Sequence, residues 1–145
     1  MIANERQYRI SKAELRRFEE ALASQQDYVP SEGVDPRMRG VMAAALEGQA
    51  ETLRNEIKRY EDLRDGRVNQ RELEGFLDLL TALVEARIAA GLTQKALAER
   101  LGLQEQQVQR WEANLYSGVG MERLQEVADA LGMQVRETVN YTVPS

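Results

Sequence analysis

The chain has 145 residues, 43% hydrophobic and 30% charged, which suits one small domain with an extension and argues against wholesale disorder. It contains no cysteine and no histidine, which excludes disulfides, thiolate metal sites, cysteine nucleophiles and the commonest general base and zinc ligand. Net charge is −5, from 19 basic and 24 acidic residues, so a nucleic-acid reading has to rest on a specific motif rather than on a basic footprint. No apolar run approaches the roughly 20 residues of a membrane span. Glu5, Arg6 and Arg9 near the start do not fit a signal peptide. A soluble, cytoplasmic protein with no membrane partner is expected.

Residues 1–66 read as a helical hairpin. Ser11-Lys12-Ala13-Glu14 has the form of a capping box, with Leu15, Phe18 and Leu22 on one face of the short helix it would start. Residues 24–33 are polar, contain Pro30, and read as a loop. Asp35-Pro36 then opens a second helix, with aspartate as the cap and proline at the first helical position. Met42, Leu46, Ala50, Leu53, Ile57 and Tyr60 recur at steps of three and four, one stripe on a helix of about 30 residues and about 45 Å. Asp65-Gly66 ends it. Gly40 and Gly48 inside it permit either a close helix approach or simple tolerance. A stripe this long exceeds what a short first helix can cover. Met42, Leu46, Leu53, Ile57 and Tyr60 are therefore expected to form a dimerisation or partner-binding arm, against the alternative of a purely intramolecular one.

Residues 67–75 read as a linker or short strand, and residues 76–132 as a compact helical domain. Four helices are expected, over 76–90, 94–101, 104–113 and 121–131. Leu80, Leu83, Val84 and Ile88 form the inner side of the first, and Leu124, Val127, Ala128 and Leu131 that of the last. Gly91, Gly102 and Gly132 follow helix ends, and Thr93 caps a start. Ala98, Gly102 and Val108 carry a helix-turn-helix spacing. A small residue sits where two helices cross, a glycine at the sharp turn, and an apolar anchor inside the next helix. That helix presents Glu105, Gln106, Gln109 and Arg110 outward, with Trp111 turned to the core. The glutamines Gln104, Gln106, Gln107 and Gln109 read as a groove-facing ridge or as a solvated face.

Gly91-Leu92-Thr93-Gln94-Lys95-Ala96-Leu97-Ala98 and Val108-Gln109-Arg110-Trp111-Glu112 resemble the Xre/lambda-repressor-like helix-turn-helix family over residues 79–131. The resemblance implies four or five short helices and a two-fold dimer on double-stranded operator DNA. It implies a phosphate contact for Gln94, with Thr93, Lys95 and the helix N-terminus beside it. It places Gln104, Glu105, Gln106 and Gln107 at the start of the recognition helix, with Gln109, Arg110 and Asn114 further along. Gln106 suits adenine, and Arg110 suits guanine or a phosphate. It also implies a largely buried ion pair between Arg87 and Glu112. The chain departs from the family in its next loop, residues 115–120, which has no basic residue, and in Asn114, which replaces a glycine that ends the recognition helix. From Phe76 onward six basic residues face nine acidic ones, leaving phosphate contacts to Lys95, Arg110, Arg123 and neutral groups. Glu105 would repel phosphate unless it accepts from a cytosine amine.

Apart from Glu137, residues 133–143 alternate apolar and polar side chains, which predicts a short C-terminal β-strand paired with 67–73 within one chain or between two, against the alternative of a frayed tail. The expected fold is thus mainly α: a hairpin with a long helix, a lambda-repressor-like domain, and that strand. The expected function is sequence-specific DNA binding by a dimeric repressor of its own operon. The acidic helical extension also resembles antitoxins of toxin–antitoxin pairs, which implies a toxin protein as a further partner. The alternative is a protein-interaction scaffold that never meets DNA. No catalytic constellation, cofactor site or metal site is expected: the carboxylates Glu19-Glu20 and Glu61-Asp62-Asp65 read as solvated faces.

Overall fold

The computed structural model describes residues 1–26 and 35–145. Six helices form among them: α1 (Glu5–Gln26), α2 (Pro36–Arg64), α3 (Phe76–Ala89), α4 (Gln94–Leu101), α5 (Glu105–Ala113) and α6 (Met121–Ala130). None is long and apolar enough to cross a membrane. The chain divides into two compact units, Met1–Arg71 and Glu72–Ser145.

In the first unit α1 and α2 run antiparallel, since Glu5 meets Arg64 at 3.5 Å while Glu19 meets Arg54 at 3.4 Å. The expected start of α1 at Ser11 is corrected. Asn4 Oδ1 accepts from the Gln7 backbone N–H at 2.9 Å, and Gln7 Oε1 accepts from the Ala3 N–H at 2.8 Å. This Asn-x-x-Gln cap acts first and leaves the Ser11 box inside a helix already running. The helix continues through Ser24 to Gln26, three residues into the expected loop; the rest of that loop, with Pro30, lies outside the described residues. Asp35 caps α2 by accepting from the Arg37 N–H at 2.9 Å, with Pro36 at the first position, and Asp65 ends it.

The α2 stripe divides along its length. Ala50, Ile57, Tyr60 and Leu63 are buried against α1, Leu46 and Leu53 are half-buried, and Met42 is 55% exposed beside exposed Met38 and Val41. The buried end is fixed by a reciprocal exchange: Tyr8 of α1 donates to Glu61 of α2 at 2.5 Å, and Tyr60 of α2 donates to Glu5 of α1 at 3.1 Å. The two rings lie 5.2 Å apart, within aromatic contact. Among the described residues a Cβ added at Gly40 or Gly48 would meet nothing within 4 Å, so neither glycine serves a close approach between α1 and α2. Asp62 is held by Lys58 at 2.6 Å and Arg67 at 2.7 Å, which lowers its carboxyl pKa, the Lys58 hydrogen bond leading. Asp65 lies 3.0 Å from Arg64. These acids are occupied by arginine and lysine.

In the second unit α4 and α5 cross and α6 packs on α4. Leu83, Val84, Leu97, Val108 and Val127 form its fully buried centre, with Ala98 at the crossing. Gly102 takes φ 67°, and the Leu103 N–H reaches back to the Ala98 carbonyl at 2.9 Å. That left-handed turn between α4 and α5 is one a side chain would strain.

The expected C-terminal strand is absent: no strand forms among the described residues, in 133–145 or in 67–75. The alternation at 133–143 exists in the sequence, but beyond Met133 both parities are exposed, Tyr141 by 83%. A strand holds when one face is buried and its backbone is paired, and an isolated two-stranded ribbon is marginal in water. Neither condition is met.

Candidate nucleic-acid interface

The interface is built on a buried charge pair. Arg87, on the last turn of α3, donates from Nε to Glu112 Oε2 at 2.5 Å and from Nη2 to Oε1 at 2.7 Å. Both side chains are shut off from water. Arg87 Nη1 also donates to the Leu92 carbonyl at 2.7 Å, and Gln94 Nε2 donates to Glu112 Oε1 at 3.0 Å. One carboxylate on α5 therefore fastens the end of α3, the link into α4, and the first residue of α4. The backbone supports this locally. Gly91 at φ 70° lets the Leu92 N–H return to the Arg87 carbonyl at 3.1 Å, and Thr93 Oγ1 accepts from the Ala96 N–H at 3.0 Å.

With Val108 and Glu112 turned inward, α5 must present its other positions to water. Glu105, Gln106, Gln107, Gln109 and Arg110 are all exposed, as are Gln104 at the N-cap and Asn114 at the C-cap. Gln109 Nε2 donates to Glu105 Oε1 at 3.3 Å, which occupies both. Glu105 also sits in the first turn of α5, where the helix dipole favours an acid. Gln106 and Arg110, four residues apart, stand together on the outermost face.

Thr93 and Lys95 are exposed at the start of α4. Gln94 is not: it is buried and committed to Glu112. Its first task in this structure is to satisfy the carboxylate. Trp111 is half-buried rather than fully inside. Its ring lies 5.9 Å from that of Tyr116, with the Arg123 guanidinium 5.9 Å from it on another side. Arg123 pairs with Glu126 at 2.7 Å.

Asn114, in the place of the family's glycine and able to tolerate left-handed geometry, does not take it; its φ is −99°. That geometry falls on Leu115 (φ 48°) and Tyr116 (φ 55°) instead. Two consecutive non-glycine residues there cost about 1–2 kcal/mol each. The offset is burial of Tyr116, which is 1% exposed. Its hydroxyl is buried without a hydrogen-bond partner among the described residues. Burial, and then the Glu112 charge, push the phenol pKa up from its ordinary value. No motif marked Tyr116. The available signal was the one aromatic side chain in the loop 115–120.

Removing one member of the charge pair leaves the other buried and uncompensated. Glu112→Ala is expected to cost about 3–5 kcal/mol in urea unfolding, and the joint replacement Arg87→Met with Glu112→Leu to recover most of it. A double variant as unstable as the single one would locate the stabilisation in packing rather than charge. Tyr116→Phe removes a hydroxyl that bonds to nothing, so it should leave neutral-pH stability unchanged or higher. The raised phenol pKa adds a pH dependence. Above about pH 10 the unfolded tyrosine ionises while the folded one stays neutral, so wild-type stability falls there. The phenylalanine variant should lose less over the same range, measured by urea midpoints across the alkaline limb.

Residues 83–137 match the helix-turn-helix family, and residues 1–82 and 138–145 fall outside the match. Comparison with curated proteins and with solved structures gives no match. The matched span opens at Leu83 in the centre of the core and takes in the crossing at Ala98, the turn at Gly102, the Arg87–Glu112 pair and the outward face of α5. Over these residues the chain matches the Xre/lambda-repressor-like helix-turn-helix family, a match that supports a DNA-binding transcription regulator in general.

Proposed function

We propose that the chain is a dimeric, sequence-specific repressor that binds double-stranded operator DNA through α4 and α5 and acts on its own promoter. The observation that carries this reading is the exposed face of α5, rigidly backed by Val108 and the Glu112 pair. A reading helix has to hold its side chains in register while they enter a groove. Gln106 offers an amide for adenine, Arg110 a fork for guanine, and Thr93, Lys95 and the α4 N-terminus supply phosphate contacts. The dimer arm is α2, whose exposed end at Met38, Val41 and Met42 extends the buried stripe. A toxin partner has no observation of its own in its favour, so the hairpin is read as a contact between copies. The scaffold reading draws on charge: residues 72–145 hold six basic and eleven acidic residues.

A fluorescence-anisotropy titration on the chain's own promoter at two salt concentrations separates these readings. Binding with a negative log–log salt slope supports the regulator, and no binding supports the scaffold. Gln106→Ala and Arg110→Ala should each cost about 1–3 kcal/mol on the operator and relax the preference at one base pair. Equal losses on operator and random duplex would defeat the base-reading assignment. Met42→Asp places a charge on the exposed end of the stripe without touching the Tyr8–Tyr60 end. Sedimentation velocity should show a shift toward monomer with helix content retained. An unchanged profile would remove α2 as the arm.

A further inference from the structure

We propose that the solvent face of α1 is a second contact surface for DNA phosphates. This rests on the DNA-binding reading above. Arg6, Arg9, Arg16 and Arg17 recur with Ala13 between them at helical spacing, and all are exposed on one side of α1. None of the four makes an ion pair within 4 Å among the described residues. The acids of the same helix are mostly turned away. Glu5 accepts from Tyr60 and meets Arg64, Glu19 meets Arg54, and Glu14 lines a shallow groove with Phe18 and Leu53. Glu20 shares the arginine face, and Glu5, four residues before Arg9, borders it. Exposed unpaired guanidinium groups gain little from folding, and planar forks of this kind suit phosphate oxygens.

Charge complementarity selects the occupant. The reading unit has six basic residues, of which Arg87 is buried with Glu112, Arg100 donates to the Ala130 carbonyl and Arg123 pairs with Glu126. With Glu112 and Glu126 set aside as well, Lys95, Arg110 and Arg136 remain against nine acids, too few to draw a polyanion. The α1 face supplies four more cations. Its two arginine pairs lie about 13 Å apart along the helix. That is close to the roughly 12 Å width of the major groove, so they suit phosphates on its two walls.

The test is a quadruple variant of the full chain, Arg6→Gln, Arg9→Gln, Arg16→Gln and Arg17→Gln, compared with a quadruple Arg→Lys variant. Anisotropy titrations over a salt series on operator and random duplex give the slope. The glutamine variant should show a slope shallower by about 2–4, with equal weakening on both duplexes, while the lysine variant keeps the wild-type slope. Sedimentation and helix content should match wild type. If wild type binds DNA and the glutamine variant has the same slope, this inference fails and the regulator reading stands. If wild type binds no duplex, both fail. An unchanged slope with lost self-association would assign the stripe to the acidic residues of a second copy and overturn the phosphate contact.

Discussion

A guanidinium and a carboxylate taken out of water together set the position of α5. Glu112 looks inward from α5 and receives two nitrogens of Arg87 and one of Gln94, while Arg87 reaches the Leu92 carbonyl. Hydrophobic contacts such as Val108 against the core tolerate small rotations at little cost; a bidentate pair with two further hydrogen bonds does not. Desolvating two charges offsets most of their attraction, so the pair adds little net stability over an apolar isostere. What it adds is a defined rotation of α5 about its axis. That rotation decides which side chains face outward, and it leaves Gln106 and Arg110 on the outermost face.

The loop after α5 shows the same preference for position over ease. Leu115 and Tyr116 accept left-handed backbone that glycine would adopt without strain, and Tyr116 buries a hydroxyl without a partner. Both costs are borne because the ring fills the space beside Trp111 and near the Glu112 pair, where a glycine would leave a void. The α1–α2 hairpin uses a different device. Tyr8 and Tyr60 exchange hydrogen bonds with carboxylates on the opposite helix, so two aromatic rings pack without stranding their hydroxyls. In one unit the phenol is satisfied; in the other its volume alone is used.

The helix-turn-helix was legible because its signals are local. Thr93 as a cap, Gly91 and Gly102 as left-handed stops, and Ala98 at the crossing each follow from geometry within a few residues of chain. Asp35-Pro36 was legible for the same reason. The misreadings share a cause as well. Ser11-x-x-Glu14 has the form of a cap, but a cap acts only where a helix begins, and Asn4-x-x-Gln7 begins it earlier. Alternation at 133–143 has the form of a strand, but a strand needs a partner and a buried face, which no local pattern supplies. Tyr116 and the burial of Gln94 were hidden because they depend on what approaches from other helices. On α2 the periodicity gave the face correctly and could not say how far along it α1 would reach.

Charge is divided between the units in a way that bears on affinity. Residues 1–71 hold thirteen basic and thirteen acidic residues, whereas residues 72–145 hold six and eleven. A reading unit that repels phosphate overall binds only where base contacts outweigh the repulsion. That repulsion adds nearly the same free energy on every sequence, so it weakens operator and random duplex alike and leaves the ratio of their affinities to the base contacts. The cost is slow encounter and weak absolute binding. Phosphate contacts supplied by α1 add nearly the same free energy on every sequence, so they raise affinity and encounter rate without narrowing that ratio. Capture and reading are then carried by different helices, and acids such as Glu105 can remain on the reading face without making the protein unable to hold DNA.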